Sequence, residues 1–137
     1  MLVVNHAPQI EILKRSSLCI THAGLNTVLE SLSSGVPMLA LPITNDQPGV
    51  AARIADKKLG VIMSPHEASP ENVAAAIKRV LGDSTFRDNV RRMQESIRRT
   101  DGLSLAADIL ERAFKLEARQ QGAARATWRS LPSNSWC

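Results

Sequence analysis

The segment THAGLNTVLESLSSGVPMLALPITNDQ, from Thr21 to Gln47, holds most of the side chains in this sequence that can engage a ligand. His22, Gly24, Asn26, Thr27 and Glu30 crowd the start of one helical pattern, and Asp46-Gln47 closes the apolar run that follows it. A helix start carries unpaired N–H groups and the positive end of the helix dipole, which suits an anion, most simply a phosphate. Gly24 lets the backbone come close, His22 can donate to a phosphate oxygen, and Asn26 and Thr27 offer short polar side chains in the first turn. Glu30 falls one turn further along the same face, where a carboxylate can accept from vicinal hydroxyls such as those of a ribose. Asp46 and Gln47 can accept from and donate to sugar hydroxyls. Phosphate, ribose and sugar along one ridge describe a nucleotide sugar.

Each of these residues also has a plainer reading. Asn26 and Thr27 taken singly read first as helix caps, Glu30 as a solvated surface carboxylate, Asp46 as an N-cap and Gln47 as a surface residue. What weakens those readings is convergence: in parallel α/β sheets ligands bind outside the carboxyl ends of the strands, and all these positions fall there.

The elements that must position them follow from the apolar pattern. MLVVN reads as a short buried strand and APQIEILKR as a brief helix. SLCIT is a second strand, followed by a helix from about Gly24 to Ser34 that GVP stops. MLALP is a third strand, a helix from about Asp46 to Lys58 comes next, and GVIM after Gly60 is a fourth strand. Such alternation indicates βαβ units and a parallel sheet. Three helices then follow. Ser69-Pro70 is an N-cap with proline at the first helical position, and Gly82 suits that helix's end. Phe86, Val90, Met93 and Ile97 mark the buried face of the next helix, Asp101-Gly102 breaks it, and Leu103, Ala106, Ile109, Leu110, Ala113 and Phe114 mark the last. From about residue 119 the sequence has no period and reads as a disordered tail, leaving 1–118 as a partial domain.

With 137 residues the chain is one domain at most, and an apolar fraction of 44% supports a core although aromatics are only 3%. The net charge of +4 does not point to nucleic acid, because Lys and Arg are spread along helices without interleaved aromatics. Arg87, Arg91, Arg92, Arg98 and Arg99 read as a solvated helix face. Cys19 and Cys137 read as free thiols in a reducing compartment. No apolar run approaches the roughly 20 residues of a membrane span, and no signal peptide is visible, so the expectation is a soluble cytoplasmic protein, with peripheral membrane association left open. No carboxylate pair or His/Cys cluster has metal-ligand spacing, and no cofactor is implied.

The motif HAPQIEIL…THAGLNTVLESLSSGVPMLALPITNDQPGVAARI resembles the donor-binding signature of the family-1 UDP-glycosyltransferases of the GT-B fold. That family includes plant secondary-product, macrolide and zeaxanthin glucosyltransferases. The likeness runs from about Val3 to Phe114 and rests on APQ at Ala7 to Gln9, HAG at His22 to Gly24, Asn26, Glu30, GVP at Gly35 to Pro37, Pro42 and Asp46-Gln47. The spacing from Gln9 to His22, and DQPGVAARI, are closer to the bacterial branch than to the plant one. The resemblance implies a Rossmann-like parallel sheet with flanking helices, part of the C-terminal domain of such an enzyme. It places the backbone of Ala7 and the side chain of Gln9 at the uracil end of a UDP-sugar. His22, Asn26 and Thr27 would hold the diphosphate, Glu30 the ribose hydroxyls, and Asp46 and Gln47 the transferred sugar. An Asp-Gln pair here resembles that of glucose users, a pattern that galactose and N-acetylglucosamine users share. His6 stands where the family usually has a base-stacking Trp, giving a weaker stacking surface, and Leu25 replaces another common Trp. Thr27 in place of Ser keeps the hydroxyl.

The resemblance also defines what is missing. Relatives place the acceptor site and the general base, a histidine, in an N-terminal domain with no counterpart among these residues. Of the three histidines, His22 is taken by phosphate, His6 by the base-stacking position, and His66 lies in the loop SPHEASP. None has a carboxylate partner at a recognisable spacing. The expectation is therefore a donor-binding portion of an inverting hexosyltransferase, inactive alone, with no catalytic residue of its own beyond His22 stabilising the leaving group. The alternative is a stand-alone donor-binding subunit that needs a separate acceptor-binding chain. In this family's sheet, LVVN would be the outermost strand of one side, with two strands absent between it and SLCIT. The chain must then pair LVVN beside SLCIT, leave apolar edges open or cover them with another chain, and the expectation is self-association, aggregation or marginal stability.

Overall fold

A computed structural model describes residues 3–114. Three short parallel strands, β1 (Cys19–Thr21), β2 (Met38–Ala40) and β3 (Gly60–Ile62), form a sheet in the order β1-β2-β3. Cys19 pairs with Met38 and Met38 with Gly60, so the carboxyl ends of β1 and β2 lie on one side of the sheet. All three residues of β2 are buried, as a central parallel strand requires. Helix α1 (Gln9–Leu13) precedes β1, and helices α2 (Leu25–Ser34) and α3 (Gln47–Asp56) connect the strands. After β3 come a 3-10 turn at Pro65–Glu67, α4 (Pro70–Gly82) and α5 (Ser84–Arg99).

The core joins Ala23, Val28, Leu32, Met38, Ala40, Ala51, Ile54, Leu59 and Val90, with Met93 and Ile97 packed against it. The apolar face expected for α5 therefore meets the core. Gly35 ends α2 in the left-handed region at φ 76, with Val36 N–H returned to Ser31 C=O at 2.9 Å and Gly35 N–H to Leu32 C=O at 3.1 Å. From α5, the Gln94 amide also donates to Ser33 C=O at 2.8 Å. Ser31 is fully buried and its hydroxyl has no hydrogen-bond partner. Gly60 is needed where β2 and β3 pair, since a Cβ there would stand 1.9 Å from Met38 O.

The Ser69 cap is as the sequence suggests, its Oγ accepting from Asn72 N–H at 3.2 Å. Asp83, which the sequence reading did not single out, caps α5 by accepting from Thr85 N–H at 2.9 Å. Hydrogen bonds from Thr85, side chain first and then backbone, hold the Asp83 carboxyl below its ordinary pKa. The described residues divide into two units between Thr100 and Asp101. In the second, α6 (Gly102–Ala113) is capped by Asp101, which accepts from Ser104 N–H at 3.2 Å. The tail expected over residues 119–137 lies outside the described residues.

One element differs from expectation. Val3 and Val4, in the segment that reads as a strand, adopt no strand and are 78% and 54% exposed. A strand needs a neighbour for its backbone groups. On its outer side β1 pairs with no strand among the described residues, and Val3-Val4 do not fill that place. Ile20, at the middle of β1, is 52% exposed.

Candidate functional site

The site is built around the turn from β1 into α2. Thr21 ends β1 and is buried, and its hydroxyl accepts from Ala23 N–H at 3.2 Å. Ala23 is wholly buried at φ 66, a left-handed conformation that costs a non-glycine residue on the order of 1 kcal/mol or more. This reversal lets α2 begin at once, with Gly24 in the N-cap position and no side-chain cap on its first-turn N–H groups. The expected alternative, in which Asn26 or Thr27 caps the helix, is not what the geometry gives. His22 is exposed, and its ring lies over Gly24 so closely that a Cβ there would be 2.6 Å from Nε2. An imidazole and a set of free amides thus share one helix start, a combination suited to a multiply charged anion.

Beside this turn α1 faces α2. Gln9 Nε2 donates to Thr27 Oγ1 at 3.3 Å and to Glu30 Oε2 at 2.5 Å. Two adjoining hollows record the arrangement. One, of about 280 Å³, is lined by His22, Gly24, Leu25, Asn26 and Thr27. The other, of about 500 Å³, takes in His6, Ala7, Gln9 and Thr27. Thr27 lines both, so the residues assigned to the base and to the diphosphate border two hollows that share this side chain. Glu30 is tied to them through Gln9.

Asp46 and Gln47 follow the carboxyl end of β2, on the side of the sheet where β1 delivers His22, but they line neither hollow. Asp46 occupies the N-cap position of α3 without a side-chain cap bond, and it is exposed. Gln47 is half-buried, and its Oε1 accepts from Ile43 N–H at 2.8 Å and Thr44 N–H at 3.0 Å. Its carbonyl is therefore occupied, and only its amide N–H groups remain for a ligand. His66 is exposed in the 3-10 turn, and Arg87, Arg91, Arg92, Arg98 and Arg99 are exposed along α5. Among the described residues, no group of three or more His, Cys, Asp or Glu side chains is placed to hold a metal ion. Sequence reasoning did not single out Thr21 or Ala23. A hydroxyl two residues before a strand-to-helix amide is the signal that was available.

The family described as "UDP-glucoronosyl and UDP-glucosyl transferase" matches residues 1–105. The chain belongs to this family. It is 37% identical over 112 residues to a zeaxanthin glucosyltransferase of Pantoea ananas, covering 82% of this chain and 26% of that protein. It is 35% identical over 111 residues to a demethyllactenocin mycarosyltransferase of Streptomyces fradiae, covering 81% of this chain and 24% of that protein. Among solved structures it superposes on the calicheamicin glycosyltransferase CalG4 with a TM-score of 0.76 at 30% identity, covering 84% of this chain and 30% of that one. The chain thus spans about a quarter of the length of these curated relatives. Its structural neighbours are GT-B glycosyltransferases, and its own α/β arrangement is the Rossmann-like sheet expected. No helix among the described residues is long and apolar enough to cross a membrane.

Proposed function

We propose that this chain is the donor-binding portion of the C-terminal domain of a cytoplasmic, inverting UDP-glycosyltransferase. It would hold a UDP-hexose, with glucose the sugar its Asp-Gln pair suits, for transfer to a hydroxyl of a small lipophilic acceptor. The observation that supports this reading is the pairing of His22 with an uncapped helix start, next to the hydrogen-bonded set Gln9, Thr27 and Glu30. The amides of Leu25, Asn26 and Thr27, the side chains of Asn26 and Thr27, and His22 take the diphosphate. Glu30 takes the ribose hydroxyls with the oxygen that Gln9 leaves free, and His6 and Ala7 border the base. Asp46 and the amide of Gln47 reach the sugar from the end of β2.

In transfer, the acceptor oxygen attacks the anomeric carbon and loses its proton to a base. The bond from that carbon to the β-phosphate oxygen breaks, and negative charge grows on UDP. His22 and the positive end of α2 stabilise that charge. The base and the acceptor pocket come from an N-terminal domain or subunit, so the chain alone transfers no sugar.

Titration calorimetry tests donor binding. UDP should bind more tightly than uridine, because the diphosphate carries the helix-start contacts. Equal affinity for the two would overturn the reading.

A further inference from the structure

The strand-to-helix turn contains a buried hydroxyl with a specific job. We propose that Thr21 is a positioning residue for the phosphate contact: by holding Ala23 N–H, it fixes the turn that lays the His22 ring over Gly24. Three observations carry this inference. Thr21 is only 7% exposed, and its hydroxyl accepts from Ala23 N–H at 3.2 Å. Ala23 sits at φ 66 with no exposure, and such a backbone persists only where its surroundings over-determine it. His22, between these two residues, is itself exposed, and the structure gives its ring no hydrogen bond to any described residue. Its placement against Gly24 is therefore set by the backbone on either side, not by a partner for the ring. Removing the Thr21 hydroxyl leaves the Ala23 amide buried without an acceptor and frees the turn to relax, carrying His22 away from the start of α2.

The inference rests on the donor-binding reading, so its test is a cycle that separates the two. UDP affinity is measured by calorimetry for the full chain, Thr21→Val, Thr21→Ser, His22→Ala and the double variant T21V/H22A. Thr21→Val should lose at least tenfold in affinity, and Thr21→Ser should stay within threefold because it keeps the hydroxyl. His22→Ala should also lose at least tenfold, and adding Thr21→Val to it should change affinity by less than twofold. If His22→Ala binds UDP as tightly as the parent, the phosphate site itself is wrong. A His22→Ala loss with no loss in Thr21→Val overturns the positioning role alone, and so does a Thr21→Val loss that persists undiminished without His22. Should Thr21→Val not fold, the cycle is run in an Ala23→Gly background, where glycine adopts the turn without strain. There Thr21→Val must still lose at least tenfold, and only while His22 is present, or the proposal falls.

Discussion

Substituting Gly24 by alanine should separate ligand binding from folding. A Cβ at this position would lie 2.6 Å from His22 Nε2, 3.2 Å from Cε1 and 3.4 Å from Cδ2, with no backbone atom among its three nearest neighbours. The far end of an exposed side chain must therefore yield, by about 0.8 Å, to restore ordinary contact. The fold has little reason to suffer. Gly24 has φ −62 and ψ 135, which alanine adopts freely. Alanine is a poorer N-cap than glycine by roughly 0.5–1 kcal/mol, and the loss of unfolded-state freedom returns about 0.4–1 kcal/mol. The net effect on stability should stay within about 1 kcal/mol. The effect on the ligand is larger, because a hydrogen bond lengthened by that much is no longer one. Loss of a hydrogen bond to a charged acceptor costs roughly 1.5–3 kcal/mol, or about 10- to 150-fold in UDP affinity. Calorimetry with UDP alongside a urea melt reads both quantities, and Gly24→Ala should have no further effect once His22 is alanine. Unchanged UDP affinity, or a stability loss of several kcal/mol, would refute this account of why glycine stands there.

Three further outcomes are expected. Glu30→Ala should weaken UDP by roughly 1.5–3 kcal/mol while leaving a ribose-free diphosphate unaffected, and an equal loss for both ligands in calorimetry would remove Glu30 from the ribose. Ser31→Ala should leave the urea midpoint unchanged or raise it, by up to about 1 kcal/mol of stability, because the buried hydroxyl it removes has no partner. Asp83 has a lowered folded pKa, so its contribution is present above its ordinary value of 3.8 and is lost as pH falls from there through the folded value. Melts across that acid range should show Asp83→Asn losing less stability than the parent, and identical slopes would remove Asp83 from the pH dependence.

Much of the frame was legible because its signals are local. Ser69-Pro70, Gly35 and the three-and-four spacing of Phe86, Val90, Met93 and Ile97 each specify a cap, a stop or a face without reference to distant residues. The failure at Val3-Val4 has the opposite cause: apolar β-formers make a strand only if a partner edge is supplied, and that information is not local. At the site, residue types announced the helix start, but contacts across elements were invisible. The family likeness put Gln9 at the base and Glu30 at the ribose, whereas the fold joins their side chains directly. Gln47 was assigned to the sugar, yet its carbonyl is occupied by the loop that precedes α3. Ala23 gave no warning of its left-handed backbone, because nothing in an alanine marks it.

The most direct test of donor binding at the β1–α2 turn is a backbone amide NMR titration of the full chain with UDP-glucose. The account predicts that the largest shifts fall on Leu25, Asn26 and Thr27, with smaller ones at His22, Gln9 and Glu30. Shifts confined to the groove beside β3 that Lys58, Arg79 and Asp83 line, with the start of α2 unmoved, would contradict it.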